Sequence, residues 1–271
     1  MSHAGNSGAL DRVAQLLALL PHHPLELYDR LRTILEVRLE RLWTPAGSYS
    51  PHHWQEAIAR ASTALGQNLH AVLEEPAVGE VDAQIRRQLD SLRTRAPFTL
   101  LHNADLRVAH LCYAVCRVMR PARVVETGVA YGVTSTFILR AMAANGDGVL
   151  HSIDLPPLGR DADRFVGMLI PAELQQRWRL HRGQSRRLLP ALLMELGQVD
   201  LFVHDSLHTL ANMRRELSTV APYLRRPAAV IVDDIEGNRA FQEWVQATQP
   251  AFSAAIRQAD KHALCGLSLF R

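Results

Sequence analysis

The stretch Val124-Val125-Glu126-Thr127-Gly128-Val129-Ala130-Tyr131-Gly132-Val133-Thr134-Ser135 decides how this chain reads. A β-branched apolar run passes into a glycine-bearing turn and then into a helical pattern. Glycine lets backbone approach a ligand closely, and the first turn of a helix offers free N–H groups to an anion. In open α/β sheets, ligands bind at the carboxyl ends of the strands where strand order reverses. Spacing narrows the ligand. A dinucleotide fingerprint needs glycine at 128, 130 and 133, but 130 is Ala and 133 is Val. A phosphate-binding loop needs Gly-Lys-Ser/Thr, and the stretch has no lysine. What the stretch does carry is an acid, Glu126, with Gly128 two residues on and Gly132 six residues on. A purely structural strand–turn–helix junction stays open as the alternative.

Outward from this turn, short β-branched runs alternate with helical stretches, the signature of βαβ units and a parallel sheet. The strand candidates are Arg123–Glu126, Val149–Asp154, Trp178–His181, Leu201–Asp205 and Ala229–Asp233, with two more near Ala254–Arg257 and Leu267–Phe270. A helix over Leu106–Met119 precedes the first strand, and another over 135–144 follows it. The second strand ends at Asp154, whose carboxylate can accept protons from both hydroxyls of a ribose lying across the first two strand ends. Asp154 as a helix cap or turn residue is the competing reading.

Residues 1–96 read as helical throughout. Leu27, Leu31, Leu35, Leu39 and Leu42 recur at helical spacing, and Ile34 widens the stripe. A Pro/Gly/Ser-rich break spans 44–51, a second helix starts near His53, and a third covers Val81–Leu92. This part carries no chemical motif. The division is therefore 1–96, a helical extension acting as substrate lid or in oligomerisation, and 97–271, the ligand-binding domain.

The chain has 271 residues, 48% hydrophobic and 21% charged, enough to bury a sizeable core. Its formal charge is +3 and Lys261 is the only lysine. The arginines form no stripe interleaved with aromatics, which disfavours nucleic acid as a partner. No apolar run reaches the roughly 18 residues of a membrane span. Three cysteines, Cys112, Cys116 and Cys265, suggest no disulfide framework and point to the cytoplasm.

Three aspartates stand out further along. Asp205 ends the fourth strand candidate, and Asp233 and Asp234 end the fifth, 28 and 29 residues later. Neighbouring strand ends lie about 5 Å apart, so these carboxylates can converge. Three hard oxygen ligands with open positions suit Mg²⁺. The alternative is that Asp205 contacts only cofactor or substrate while the Asp pair caps the next helix. His208, at the start of a helix beginning Leu207–Met213, can take a hydroxyl proton at neutral pH, or stand as a solvated helix-start histidine. His204 within the strand reads as structural. His102, Asn103 and Asp105 are candidates for the pocket mouth.

Taken in order, Val125-Glu126-Thr127-Gly128 through Gly132, Ser152-Ile153-Asp154, His181-Arg182-Gly183-Gln184-Ser185, Asp200 through Thr209 and Val230 through Ile235 make 97–271 resemble class I S-adenosylmethionine-dependent methyltransferases. Most similar is the bacterial small-molecule group related to catechol-type and macrolide-sugar O-methyltransferases. The resemblance implies a Rossmann-like, mostly parallel seven-stranded sheet of order 3-2-1-4-5-7-6 with helices on both faces. It implies that the Gly128–Gly132 loop, Tyr131 included, holds the methionine part of S-adenosylmethionine beside Glu126, with Thr134 or Ser135 near its carboxylate. Asp154 would hold the ribose, Gln184 and Ser185 would lie near the adenine, and Asp205 would touch cofactor and metal. Asp205, Asp233 and Asp234 would hold Mg²⁺, and His208 would be the general base where that group has a lysine. Ala130 departs from the middle glycine of the commonest loop. The implied reaction is O-methylation of a small molecule, natural product or sugar-like. Rival readings are a metal-independent O- or N-methyltransferase, a nicotinamide oxidoreductase and a non-catalytic interaction protein. The amphipathic N-terminal helices leave a homodimer open.

Overall fold

The computed structural model describes residues 13–44, 46–159, 161–259 and 263–271. Seven strands form one sheet: β1 Arg123–Thr127, β2 Val149–Asp154, β3 Trp178–Arg182, β4 Val199–His204, β5 Leu224–Val232, β6 Phe252–Arg257 and β7 Leu264–Phe270. Their order is β3-β2-β1-β4-β5-β7-β6. β1 to β5 pair in parallel, while β7 runs antiparallel to both β5 and β6. The order implied by the family resemblance is the order observed.

Strand side chains alternate between two apolar layers, which is why the central strands read as unbroken apolar runs. Val124, Leu201, Val203 and Ile231 face one layer; Val125, Phe202, Val230 and Val232 face the other. The second layer is covered by α7 (Ser185–Leu196), α8 (Leu210–Val220) and α9 (Ala240–Thr248). The first is covered by α2 (Trp54–Leu65), α3 (Leu69–Leu73), α4 (Pro76–Leu92), α5 (Leu106–Met119) and α6 (Val133–Asn145). Local signals place these helices. Pro76 opens α4, Asp105 accepts from Arg107 N at 2.8 Å to cap α5, and Gly66 and Gly146 end α2 and α6 in left-handed conformation.

Helices α2 to α4 are not an appendage. Ile58, Leu69, Ile85 and Leu92 join the same core as Val124 and Leu201. His52 extends the sheet edge beside β6, its N–H donating to Ala255 O at 2.8 Å. The three cysteines are free thiols inside the core.

The first described long helix, α1 (Pro24–Trp43), behaves differently. Its leucine stripe turns outward: Leu25, Leu31, Leu35, Leu39 and Leu42 are exposed, Leu42 at 71%. Its acids turn inward instead, with Glu26 and Asp29 buried.

The core between α5 and α6 is tight around Phe137, whose ring meets His110 edge-on at 5.1 Å and Tyr113 at 6.4 Å. Phe137→Ala is expected to cost about 3–5 kcal/mol of unfolding free energy in a denaturant titration, the range for deleting a fully buried aromatic ring.

Candidate active site

The parallel ladder continues one residue past the strand ends and fixes the backbone of the site. Gly128 N donates to Ile153 O (2.9 Å), Asp205 N to Thr127 O (2.8 Å) and Asp233 N to His204 O (2.9 Å). Gly128 has φ +85°, and a Cβ there would stand 1.8 Å from the Asp205 carbonyl oxygen. Only glycine permits this turn and this approach together. Ala130 also holds a left-handed conformation, φ +49°, at about 1–2 kcal/mol for a residue with a Cβ. The glycine it replaces in the commonest loop meets that need without strain.

A cavity of about 940 Å³ opens over these strand tips. Gly128, Asp154, Gln184, Ser185, Asp205 and His208 line it. Asp154 also holds the glycine turn, its Oδ2 accepting from Val129 N (3.1 Å) and Ala130 N (2.9 Å). Burial pushes its carboxyl upward, against those two N–H donors. Both readings of Asp154 thus hold at one carboxylate: it organises the turn and faces the cavity.

Several side chains expected on the cofactor stand behind the loop instead. Glu126 is fully buried; its Oε2 accepts from Ser135 Oγ (2.6 Å) and Ser152 Oγ (2.7 Å) while its Oε1 has no hydrogen-bond partner. Ser135 is therefore spent on Glu126. Thr134 is buried with its hydroxyl unpaired. Tyr131 stacks on Phe98 at 4.3 Å and donates its hydroxyl to Phe98 O at 2.6 Å. Gly132 gives room for Gly167, whose Cα would lie 2.9 Å from an added Cβ. None of these five lines the cavity; they shape the turn that does.

Asp205, His208 and Asp233 bring one ligand atom each to within 4.8 Å of one another. Asp234 joins through His208: its Oδ2 lies 3.2 Å from Nδ1, while Nε2 lies 3.8 Å from Asp205 Oδ1. The helix begins at Leu210 with Thr209 as its cap, so His208 sits in the preceding loop rather than at a solvated helix start. The capping alternative for the Asp pair also fails. Asp234 makes no side-chain cap, and Asn238 Oδ1 accepts from Ala240 N at 2.8 Å at the head of α9. Of the three mouth candidates only His102 lines the cavity. Asn103 Oδ1 accepts from Tyr131 N, and Asp105 accepts from Arg107 N and Ala259 N.

Two participants escaped sequence reading. Glu216 on α8 is fully buried against the ends of β1 and β4. It faces His204 Nδ1 at 2.7 Å and accepts from Thr127 Oγ1 (2.5 Å), Ser206 Oγ (2.9 Å) and Asn212 Nδ2 (3.0 Å). Burial pushes its carboxyl up, but His204 and the hydroxyls outweigh that and hold it down at about 2. The available signal was its place on the helix face of Met213, Leu217 and Val220. Gln258, just past β6, donates Nε2 to Asp233 Oδ1 (2.5 Å) and Asp234 Oδ1 (3.3 Å). Helix α1, part of the segment read as a lid or oligomerisation element, roofs the cavity. Gln184 Nε2 donates to Asp29 O (2.8 Å), Arg30 to Pro156 O (2.9 Å), and ion pairs join Arg182 to Glu26, Arg186 to Glu36 and Arg187 to Asp29 at 2.7–2.9 Å. Burial pushes Glu26 up, yet Arg182 and Arg30 prevail and hold it below the usual carboxylate range.

With this geometry established, the comparisons with known proteins are direct. Residues 125–235 match a family described as a methyltransferase domain. Three solved structures share the fold. An O-methyltransferase from Bacillus cereus with S-adenosylhomocysteine is 12% identical, TM-score 0.53, covering 79% of this chain and 97% of its own. The O-methyltransferase TomG from Streptomyces achromogenes, involved in tomaymycin synthesis and bound to S-adenosylmethionine, is 19% identical, TM-score 0.51, covering 79% and 96%. A methyltransferase from Podospora anserina bound to S-adenosylhomocysteine is 12% identical, TM-score 0.51, covering 83% and 100%. No curated protein sequence matches the chain. Residues 125–235 thus match a methyltransferase domain, and the chain has the fold of these methyltransferases.

The state of Glu126 gives a test. Burial raises it from the ordinary 4.5 to about 7. A carboxyl raised on folding contributes stability that is complete below its unfolded value and lost as pH rises through its folded one. Denaturant unfolding of the wild type should therefore show falling stability as pH climbs through about 7, and Glu126→Gln, which keeps the shape without the charge, should flatten that slope.

Proposed function

We propose that this chain moves the methyl group of S-adenosylmethionine to a hydroxyl oxygen of a small molecule, of the natural-product or sugar-like class, with Mg²⁺ assistance. The observation that supports it is the convergence of Asp205, His208 and Asp233, with Asp205 and His208 lining the same cavity as Asp154 and Gln184 and Asp233 buried behind them. The cofactor-binding set is Gly128, Asp154, Gln184, Ser185 and Asp205, with the nucleoside across the tips of β1 and β2. Glu126, Tyr131, Gly132, Thr134 and Ser135 support the loop from behind.

The residues define the chemistry as follows. Asp205, Asp233 and Asp234 would form an oxygen donor set for a hard divalent cation; Asp205 and Asp233 lie grouped with His208, Asp234 stands against His208, and fully buried Asp233 favours a cationic neighbour over bulk water. When bound there, Mg²⁺ orients a substrate hydroxyl and lowers its pKa. His208, held between Asp205 and Asp234, receives the hydroxyl proton. With S-adenosylmethionine bound, the new O–CH₃ bond would form as the sulfonium C–S bond breaks, with S-adenosylhomocysteine as the leaving group. Positioning supplies much of the rate, and the roof formed by α1 keeps water from the sulfonium.

Residues 97–271 would carry out the transfer, and the N-terminal segment would close and assemble it. Among the described residues no helix is long and apolar enough to cross a membrane, and the free core thiols favour the cytoplasm. The outward stripe of α1 fits a second copy of the chain: Leu25, Tyr28, Leu31, Leu35, Leu39 and Leu42 repeat at three and four residues, the spacing of self-pairing helices. An isologous dimer needs the same patch on both copies, which one helix provides.

Two measurements check this reading. With S-adenosylhomocysteine release followed over a panel of hydroxylated small molecules, EDTA or Asp233→Asn should lower kcat/KM by about 100-fold or more while S-adenosylmethionine binding changes little. Turnover that survives both would favour metal-independent transfer. By light scattering the wild type should have the mass of a dimer, and Leu35→Glu with Leu39→Glu should give a folded monomer; a monomeric wild type would remove the dimer from the account.

A further inference from the structure

We infer that Gln258 is a further ligand of the divalent cation, supplying a neutral carbonyl oxygen from the β6 side of the cluster. The inference rests on the metal reading above. Gln258 is 6% exposed and follows the last residue of β6. Its amide bridges the two adjacent carboxylates just past β5, with Nε2 2.5 Å from Asp233 Oδ1 and 3.3 Å from Asp234 Oδ1. Its Oε1 is buried and has no hydrogen-bond partner.

That asymmetry is the informative feature. A glutamine placed only to donate to acids would find an N–H for its carbonyl, since buried acceptors are almost always paired. Here the acceptor is idle and its donor is pressed against two carboxylates. The two ends of an amide have nearly the same shape, and a half-turn about Cγ–Cδ exchanges them. After the half-turn, Oε1 would occupy the place of Nε2, beside one oxygen of each aspartate. In an octahedral Mg²⁺ site, with ligands at 2.0–2.1 Å, neighbouring oxygens stand roughly 3 Å apart, the spacing found here. Without a cation, three oxygens in that place would repel and the nitrogen turns in. With a cation the carbonyl is the favoured end. Gln258 is thus an adaptable member of the cluster: a donor that quiets Asp233 and Asp234 in the empty protein and a ligand in the loaded one. Asp205, Asp233 and Asp234 already bring three negative charges, so a neutral ligand adds coordination without adding repulsion.

The test is Mn²⁺ binding by calorimetry, backed by the electron paramagnetic resonance signal of free Mn²⁺, on the full chain with S-adenosylhomocysteine present. Circular dichroism and S-adenosylhomocysteine affinity confirm folding. Gln258→Met, which keeps length and loses the oxygen, should weaken Mn²⁺ binding at least about 10-fold. Gln258→Glu, which keeps the oxygen, should bind Mn²⁺ at least as tightly as the wild type. The inference is overturned if Gln258→Met binds Mn²⁺ as tightly as the wild type or more so, because an amide that only donates competes with the cation for Asp233. It is overturned equally if Gln258→Glu binds more weakly. Asp233→Asn separates the two levels: if it matches a weakly binding wild type, the metal reading itself falls; if it abolishes tight binding that Gln258→Met retains, only the role of Gln258 falls.

Discussion

The hydrogen-bond ladder of the parallel sheet, carried one residue beyond the strands, is the constraint on which the site depends. Thr127 O accepts from Asp205 N and His204 O accepts from Asp233 N, so successive strand ends are locked in step. The acids face one another because the sheet holds their backbones in register, not because acids attract. The same lock brings the Asp205 carbonyl against Gly128, where no side chain fits. A glycine and an aspartate 77 residues apart are thus one structural decision. The cavity for a nucleoside and the cluster for a cation follow from it.

Two fully buried glutamates show how surroundings set charge in this layer. Glu126 has only two hydroxyl donors and one unpaired oxygen, and burial lifts it to about 7. Glu216 has an imidazole, hydroxyls and an amide, and stays ionised with a value of about 2. The first is a nearly neutral prop behind the glycine turn. The second is a fixed negative charge joining β1, β4 and α8. Desolvation acts on both, and the partners decide the outcome.

The sequence made legible whatever repeats along the backbone. β-branched runs located all seven strands, though β5 starts at Leu224 rather than near Ala229, since Leu224-Arg225-Arg226-Pro227 offers no apolar pattern. Glycine spacing located the turn because φ and close approach leave a compositional trace. Side-chain destinations left no such trace. Nothing in Glu126, Tyr131 or Ser135 says whether each turns to the ligand or to the core, and here the core claims them. Gln258 belongs to no motif and comes from a strand two places away from β5. Helix α1 was legible as amphipathic, but not as inverted. Its inward acids find their partners in Arg182, Arg186 and Arg187, far off in sequence, and those partners make polar burial favourable.

The central claim is that the nucleoside lies across the tips of β1 and β2 with its sulfur turned toward the acids. A crystal structure with saturating S-adenosylhomocysteine tests it most directly. The account predicts ribose density at Asp154, adenine near Gln184 and Ser185, and the sulfur facing the Asp205–His208–Asp233 cluster. A cavity left empty by that ligand, or a sulfur turned away from the three residues, would contradict it.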